Sequence, residues 1–312
     1  MVKVFSMFSG IGGFELGIKQ SNLYHEFIGY SEIDKHAIKI YEKNFPGVKN
    51  YGDATTIRGD ELPDFDLLVA GFPCQAFSYA GFGRGLDDSR GTLFFDIARI
   101  LAEKRPRYLV LENVKGLLSN EQGKTFQTIL GILTNLGYRV EWQVLNSANY
   151  GVPQTRERVY IVGHYADSRR SRRKIFPLPV QNQEPNREIS DKVAAFASID
   201  RTDVRMNGRR FKEPGDPSFT LTGMDAHGIL MWDGRHKVNT LRASVIFELM
   251  YKGKVIRRLT EIECERLQGF PDNWTQGISM TQRYRCLGNA VTVNVIEAIS
   301  NALGEFINEN ER

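Results

Sequence analysis

The sequence has few cysteines and no long apolar run. Its 312 residues include three cysteines, Cys74, Cys264 and Cys286, and no Cys-x-x-Cys pair. An odd, widely spaced set argues against a disulfide framework and against a structural zinc site. No apolar run approaches the roughly 20 residues that cross a bilayer, and the N-terminal MVKVFSMFSG lacks the shape of a signal peptide. We therefore expect a soluble, intracellular protein with no membrane partner and no bound metal.

The chain as a whole also lacks a large excess of charge of one sign, since its net charge is +4. The charge is unevenly spread, however, because residues 151–260 hold 21 Lys and Arg against 12 Asp and Glu. That segment is net +9 and the remainder of the chain is net −5. A basic segment in an otherwise mildly acidic chain suits docking on a polyanion. A solvated surface explains the same asymmetry equally well.

Short β-rich segments alternate with helix-compatible segments over the first 165 residues. This pattern predicts an α/β fold with a mostly parallel sheet and helices on both faces. The alternation stops after residue 164, so we expect a second, smaller module to begin there. The predicted strands are 2–8, 27–30, 66–70, 108–111, 139–145 and 158–162, and the predicted helices are 33–45, 91–103 and 125–136.

Two further helices are predicted near the C-terminus. Thr260 and Glu263 have the spacing of a capping box, which predicts a short helix that begins there. Apolar residues between positions 291 and 306 form a helical stripe, which predicts a last helix that packs back on the sheet of the first domain. The two ends of the chain should therefore meet.

A glycine-rich turn, FSGIGGFELG, follows the first predicted strand, where nucleotide-binding α/β domains hold their ligand. Glu15 stands at the third glycine of the G-x-G-x-x-G pattern, which disfavours NAD. Glu32 and Asp53 follow later strands and have the acceptor groups that a ribose and an adenine amino group require. Because phosphate-binding lysines are missing, the set fits an adenosine ligand without a pyrophosphate, such as S-adenosylmethionine (SAM).

Cys74 follows the third predicted strand, on the same sheet edge as the glycine turn. A lone cysteine is most often an inert buried thiol, but other segments supply polar partners. A thiol beside a carboxyl group, an amide and two arginines fits a problem in nucleobase chemistry, the methylation of cytosine at C5. Addition of a thiolate at C6 makes C5 nucleophilic enough to accept a methyl group, and a carboxyl group at N3 stabilises the charge on the ring. The polar partners are Glu112 and Asn113 in LENV, Arg156 and Arg158 in QTRERVYIVG, and Asn289 in LGNAV.

Eight segments occur in an order that resembles the motifs of the cytosine-C5 DNA methyltransferase family, in particular its compact prokaryotic modification enzymes. They are FSGIGGFELG, SEID, GDAT, GFPCQAFS, ENVKG, QTRERVYIVG, RRLTEIECERLQGFPD and RCLGNAVTVNVI, and they cover about 1–163 and 255–303. The resemblance implies a Rossmann-like, SAM-binding catalytic domain over 1–167 and 281–312. It implies a target-recognition domain with a hinge over 168–280.

The resemblance also implies roles for individual residues. Cys74 would attack C6, Glu112 would contact N3, Asn113 would order the site, and Arg156 and Arg158 would hold the target nucleotide. Ile33 stands where many members of the family carry tryptophan, so we expect an altered SAM affinity. The implied SAM contacts are Phe8, Ser9, Gly10, Gly12, Gly13, Glu32, Ile33, Asp53, Phe72 and Asn289. The DNA contacts are expected from Ser78, Arg84, Arg209, Arg210, Thr220, Leu221, Lys237 and Arg242.

The implied activity is methyl transfer from SAM to C5 of a cytosine flipped out of duplex DNA, through a covalent Cys-C6 adduct. The expected setting is a restriction-modification system in a prokaryotic cytoplasm, at the nucleoid, with a cognate endonuclease that acts separately on the same site. We expect the enzyme to work as a monomer. Two alternatives remain open, a tRNA cytosine-C5 methyltransferase and a catalytically silent DNA-binding paralogue. The absence of a Cys-Phe-Thr tripeptide disfavours the former.

Overall fold

The computed structural model describes residues 1–73, 93–165, 174–180, 193–196, 228–231, 249–251 and 254–310. The chain divides into two compact units. The larger unit consists of Met1–Leu145, Glu157–Pro179 and Ala290–Arg312. The smaller unit consists of Asn146–Arg156 and Val180–Asn289. The domain limits predicted from the sequence, 1–167 with 281–312 and 168–280, stay a prediction beside this division.

A six-stranded sheet in the order β2-β1-β3-β4-β6-β5 forms the centre of the larger unit. Strands β1 to β4 pair in parallel, whereas β6 pairs antiparallel with β4. The mostly parallel sheet predicted from the sequence is therefore present. The strands are β1 (Val2–Met7), β2 (His25–Ser31), β3 (Leu67–Gly71), β4 (Tyr108–Val114), β5 (Tyr138–Asn146) and β6 (Glu157–Tyr165).

The described chain has seven α-helices and four short 3-10 helices. The α-helices are α1 (Gly13–Gln20), α2 (Lys35–Asn44), α3 (Leu93–Lys104), α4 (Lys124–Asn135), α5 (Glu261–Leu267), α6 (Met280–Asn289) and α7 (Val293–Asn310). The 3-10 helices are Gly59–Glu61, Lys115–Leu118, Asn120–Gly123 and Ser147–Tyr150. Of these, α1 to α4 and α7 belong to the larger unit.

Apolar residues on both faces of the sheet are buried. On one face, alternate residues of β1, β3, β4 and β6 share a core with α3 and α4. On the other face, intervening residues such as Val69 and Val110 are buried as well, as a sheet covered on both sides requires. Helix α1 packs on α7, where a Cβ on Gly17 would lie 2.6 Å from Ile296 Cβ. The prediction that the last helix returns to the first domain is borne out by this packing.

The smaller unit contains a four-stranded sheet that the sequence did not predict. Its order is β7-β8-β10-β9 with antiparallel pairing throughout, and its strands are β7 (Val193–Phe196), β8 (Gly228–Met231), β9 (Leu249–Tyr251) and β10 (Lys254–Arg258). The capping box at the start of α5 is present, with Thr260 and Glu263 bonded in both directions.

The segment LGNAV, residues 287–291, contains the end of α6 and the start of the link to α7. Asn289, one of the predicted SAM contacts, is the last residue of α6, and α7 begins at Val293. The stretch Met280–Asn310 is long and apolar enough to span a membrane by length and composition. Of its most apolar window 72% is buried, as in the core helix of a globular fold.

Candidate active site

The glycine-rich turn after β1 has left-handed backbone conformations. Phe8, Gly10 and Gly12 have φ angles of 54°, 57° and 83°. At Gly12 a Cβ would approach Phe45 Cε2 at 2.5 Å, so a side chain is excluded there. At Gly10 a Cβ would meet no atom within 4 Å, so the backbone faces open space. The turn therefore presents bare backbone at the carboxyl end of β1, where a ligand can approach closely.

Three of the other predicted SAM contacts are buried around this turn. Ser9 donates its backbone N–H to Ser31 O at 3.2 Å. Gly13 is the first residue of α1. Phe72, which follows β3, packs its ring 5.6 Å from that of Phe94. These residues shape the surroundings of the turn from within the core.

Glu32 follows β2 directly, and three backbone N–H groups hold its carboxylate. Gly10 donates to Oε2 at 2.9 Å, and Ile33 and Asp34 each donate to Oε1 at 2.8 Å. A carboxylate oxygen accepts more than one hydrogen bond, so Oε2 keeps the capacity to accept from a ligand hydroxyl. The structure thus brings together the predicted ribose acceptor and the glycine turn.

Asp53 and Ile33 are both exposed to solvent. Asp53 Oδ1 accepts from Thr55 N at 2.9 Å and from Thr55 Oγ1 at 2.8 Å. The turn that carries Asp53 is tied to α3, because Arg99 donates to Ala54 O at 2.9 Å. The Ile33 side chain is 70% exposed beside Glu32. A carboxylate and an aliphatic side chain are therefore exposed here, and the adenine contacts expected of them stay a prediction.

Glu112 and Arg158 form an ion pair at the carboxyl end of β4. The parallel register of β3 and β4 sets Glu112 opposite Gly71, and a Cβ on Gly71 would lie 3.5 Å from Glu112 Oε2. Arg158 comes from β6, and its Nε lies 3.2 Å from Glu112 Oε1. Glu112 is only 8% exposed. A paired carboxylate in such a recess interacts more strongly with neighbouring charges than one in water.

Asn113 fixes the chain where β3 ends. Its Nδ2 donates to Phe72 O at 2.8 Å, and its Oδ1 accepts from Val114 N at 2.8 Å. Asn113 is 2% exposed, so its amide is committed to the backbone. Phe72 precedes Cys74 by two residues, so this bond anchors the approach to the predicted nucleophile.

Arg156 and Asn289 belong to the smaller unit. Arg156 is 3% exposed, and its Nη2 donates to Gly288 O at 3.3 Å. Its backbone carbonyl accepts from Ser147 N at 3.0 Å. Asn289 is exposed at the end of α6. The structure therefore gives Arg156 a contact within the smaller unit, and its predicted role at the target nucleotide stays a prediction.

The predicted nucleophile and the predicted DNA contacts lie outside the described residues, so their roles stay predictions. These residues are Cys74, Ser78, Arg84, Arg209, Arg210, Thr220, Leu221, Lys237 and Arg242. Over the described part of the chain, no group of three or more His, Cys, Asp or Glu side chains is arranged to hold a metal ion.

Sequence reasoning did not select two polar residues that the structure holds in the larger unit, Asn50 beside Glu32 and Glu15 in the core. Asn50 bonds to the backbone of both Glu32 and Gly52. Glu15, which the sequence marked only as a departure from the NAD pattern, is fully buried in α1, and Tyr41 Oη donates to its Oε1 at 3.0 Å. Asn50 stands two residues before Gly52, and asparagine and glycine are common in turns, so the sequence indicates a turn there. The bonds from Asn50 to Glu32 join residues 18 positions apart, and a local turn pattern does not predict them.

Known proteins resemble this chain in sequence and in fold. The chain is 39% identical to the type II methyltransferase M1.ScrFI of Lactococcus lactis subsp. cremoris, with 99% of this chain and 80% of the relative covered. It is 40% identical to the type II methyltransferase M.NgoBI of Neisseria gonorrhoeae, with 96% and 92% covered. The crystal structure of the S. pombe Dnmt2 methyltransferase has the same fold, with a TM-score of 0.69, 19% identity and 99% of each chain covered.

The sequence model of the C-5 cytosine-specific DNA methylases matches residues 2–305, nearly the full chain. The family and the fold class predicted from the sequence are both confirmed, and the reaction of this family uses SAM as methyl donor. The chain belongs to the C-5 cytosine-specific DNA methylase family and is a DNA (cytosine-5-)-methyltransferase.

Proposed function

We propose that the enzyme flips a cytosine out of duplex DNA and methylates its C5 through a covalent bond between Cys74 Sγ and cytosine C6. The observation that carries this proposal is the pairing of β3 with β4. It sets Gly71 opposite Glu112, and Gly71 precedes Cys74 by three residues. The described chain that leads towards Cys74 and the carboxylate of Glu112 therefore lie at the same edge of the sheet, which supports a joint role for the two residues.

Cytosine C5 is too weak a nucleophile to take a methyl group directly, so a thiolate adds at C6 first. Addition of Cys74 Sγ forms the S–C6 bond and moves an electron pair onto C5. The bond from C5 to the methyl group would then form as the methyl–sulfonium bond breaks and its electron pair returns to sulfur. Loss of the C5 proton to a base would expel the Cys74 thiolate and restore the ring. When bound, SAM supplies the methyl group as an electrophile.

Glu112 is the group that contacts cytosine N3 in this proposal. Cytosine N3 has no proton of its own, so a proton shared between N3 and the Glu112 carboxylate stabilises the charge that develops on the ring during attack at C6. Arg158, with its Nε 3.2 Å from Glu112 Oε1, holds the carboxylate in place and balances its charge. Asn113 positions the chain before Cys74 through its bond to Phe72 O. Arg156 acts on the target nucleotide together with Arg158.

The residues of the larger unit fit SAM. The backbone of Gly10 faces open space, Glu32 Oε2 can accept from a ribose hydroxyl, and Asp53 can accept from the adenine amino group. Ile33 offers an aliphatic surface for the adenine ring. Asn289, the last residue of α6, acts near the methionine end in this proposal.

The substrate is double-stranded DNA, and residues 168–280 form the target-recognition domain with its hinge. The basic excess of residues 151–260 supports this assignment, because phosphate contacts supply much of the affinity for DNA. Since M1.ScrFI and M.NgoBI are type II methyltransferases, we assign this enzyme to a restriction-modification system in a prokaryotic cytoplasm, with an endonuclease that acts separately on the same site. It works there as a monomer.

The first experiment combines radiolabelled SAM with a pool of duplex DNA and, separately, with tRNA. We expect label on DNA, and bisulfite sequencing should then show protected cytosines at one short recurrent motif. Label on tRNA alone would replace the proposal with RNA methylation. Retained DNA binding with label on neither nucleic acid would indicate a silent binding module.

A cysteine variant tests the covalent step. We expect Cys74→Ser to abolish methylation and to keep DNA binding, since the hydroxyl is a far weaker nucleophile than a thiolate. Cys286→Ser is the matched control, because that buried cysteine lies in α6 of the smaller unit, and it should retain turnover. Loss of both methylation and DNA binding in Cys74→Ser would make Cys74 a structural residue and contradict the proposal.

A further inference from the structure

The side chain of Asn50 bonds to two separate segments of the cofactor side of the site. Its Oδ1 accepts from Glu32 N at 3.3 Å and from Gly52 N at 2.9 Å. Its Nδ2 donates to Glu32 O at 3.1 Å. One amide group therefore occupies both polar groups of the Glu32 backbone and ties them to the residue before Asp53.

Ser31 makes a second connection between the same segments. Its hydroxyl donates to Gly52 O at 2.7 Å. Ser31 is only 1% exposed, so its side chain is closed off from a ligand. Main-chain bonds from Tyr30 N to Lys49 O and from Tyr51 N to Tyr30 O align the two segments up to this point. The side chains of Asn50 and Ser31 extend that alignment beyond the end of β2, where Glu32 lies.

We propose that Asn50 is a positioning residue for SAM, which sets the spacing between Glu32 and Asp53 without touching the reacting atoms. The inference rests on the proposed roles of Glu32 at the ribose and Asp53 at the adenine. Without the amide, the segment 32–34 gains freedom that SAM must remove when it binds. Such an ordering cost weakens binding.

The proposal separates binding from chemistry. Glu32 and Asp53 act on the nucleoside of SAM, whereas methyl transfer takes place at the sulfonium and at cytosine C5. A residue that orders only the nucleoside contacts should change the Kd and the KM for SAM and leave kcat at saturating SAM unchanged. A residue with a purely structural role would lower stability without that selectivity.

The test compares Asn50→Ala with Asn301→Ala. Asn301 of α7 makes a bond of the same kind, since its Oδ1 accepts from Asn22 N at 2.7 Å beyond the end of α1 that lies away from the glycine turn. The Kd for radiolabelled SAM is measured by equilibrium dialysis without DNA. The Tm and the kcat at saturating SAM and duplex DNA are measured on the same proteins.

We expect Asn50→Ala to raise the Kd for SAM roughly tenfold, because single hydrogen bonds contribute factors of about 3 to 10. Its kcat at saturation should stay within about twofold of the wild type. Asn301→Ala should lower the Tm to a similar degree and leave the Kd unchanged. A wild-type Kd in Asn50→Ala, or an equal rise in Asn301→Ala, would overturn the proposal.

Two milder variants carry the test if Asn50→Ala does not fold. Ser31→Ala removes the second connection and should raise the Kd for SAM about threefold. Asn50→Asp keeps the acceptor for the N–H groups of Glu32 and Gly52 but loses the donor to Glu32 O, so its Kd should lie between those of the wild type and Asn50→Ala. Wild-type Kd values in both variants would overturn the proposal.

The outcome for Asn50 is separable from the outcome for the proposed function. A wild-type enzyme that binds SAM but methylates no DNA contradicts the proposed reaction, and the Kd values still decide the role of Asn50. A wild-type enzyme that binds no SAM contradicts both.

Discussion

Glu15 is an acidic residue in the core of the larger unit, without any exposed surface. The Tyr41 hydroxyl donates to its Oε1 at 3.0 Å. Burial removes the carboxylate from water and raises the pKa of Glu15 to about 7, although the bond from Tyr41 opposes the shift. The negative charge of Glu32 adds to the rise.

This pKa makes stability depend on pH in a defined direction. Below the unfolded pKa of 4.5, Glu15 is protonated in both states. As the pH rises towards 7, the unfolded state loses its proton while the folded state keeps it, so the free energy of unfolding falls, and it stays lower above the folded pKa. A pKa rise of this size corresponds to on the order of 3 kcal/mol.

We expect Glu15→Gln to remove this dependence, because glutamine keeps an acceptor for Tyr41 and carries no charge. The Tm of the variant should match that of the wild type near about pH 4, below the unfolded pKa, and exceed it near about pH 8, beyond the pKa range over which the proton is lost. Scanning calorimetry over this pH range measures the difference. Glu26→Gln, at an exposed position in β2, is the control and should follow the wild type. A constant offset between Glu15→Gln and the wild type would show that Glu15 does not titrate there.

Sequence reasoning located some site residues and missed others for a physical reason. Glu32 and Glu112 were predictable because both follow a strand, and the carboxyl ends of parallel strands share an edge. Asn50 was not, because its bond to Glu32 joins residues 18 positions apart and depends on how the chain folds between them. Arg156 and Arg158 stand two positions apart in the sequence, yet they fall in different units, because the division into units depends on contacts with distant residues.

At the scale of helices and strands, local sequence patterns predicted where an element begins better than which strands pair with each other. The helix predicted over 33–45 begins at Lys35, because Asp34 accepts from His36 N and Ala37 N and so caps it. The strand predicted over 158–162 is β6. Its antiparallel pairing with β4 joins residues that lie far apart in the sequence, so no local pattern predicts it. The strands of the smaller unit have only three to five residues, too few for a clear alternation.

The capping box of α5 offers a test at this scale. Thr260 Oγ1 accepts from Glu263 N at 3.2 Å, and Glu263 Oε2 accepts from Thr260 N at 2.8 Å. We expect Thr260→Ala to lower the free energy of unfolding of the smaller unit by about 1 kcal/mol, because the first turn loses an acceptor. Glu263→Gln keeps the box, since its amide oxygen can accept the same N–H, and should cost less than about 0.5 kcal/mol. Urea unfolding followed by tryptophan fluorescence measures both variants, and equal losses would contradict a role for the box.

At the scale of the whole molecule, the larger unit is discontinuous in sequence. The C-terminal helix α7 packs on α1, and Asn22 N donates to Asn301 Oδ1 across 279 positions. The smaller unit is thus inserted between parts of a domain that both chain ends complete. This arrangement lets the smaller unit vary in sequence without altering the edge of the sheet that carries Glu32 and Glu112.

The basic excess of residues 151–260 predicts how DNA binding responds to salt. Each phosphate that Lys or Arg neutralises releases counterions, so the association constant falls with a slope of about 0.9 per phosphate in a log–log plot. For about five phosphate contacts we expect a loss of about 10²- to 10³-fold from about 50 to about 200 mM salt. Fluorescence anisotropy with a labelled duplex measures the slope. A flat response would contradict a phosphate-binding role for this segment.

Variants within the segment separate phosphate contacts from base contacts. If Lys237 contacts a phosphate, Lys237→Ala should lower the salt slope by about 1 and weaken binding to all duplexes alike. If Thr220 reads a base edge, Thr220→Ala should leave the slope unchanged and relax the sequence motif that becomes methylated. Loss of a phosphate contact changes the salt slope, whereas loss of a base contact changes the methylated motif. A relaxed motif in Lys237→Ala together with a lower slope in Thr220→Ala would therefore exchange the two assignments.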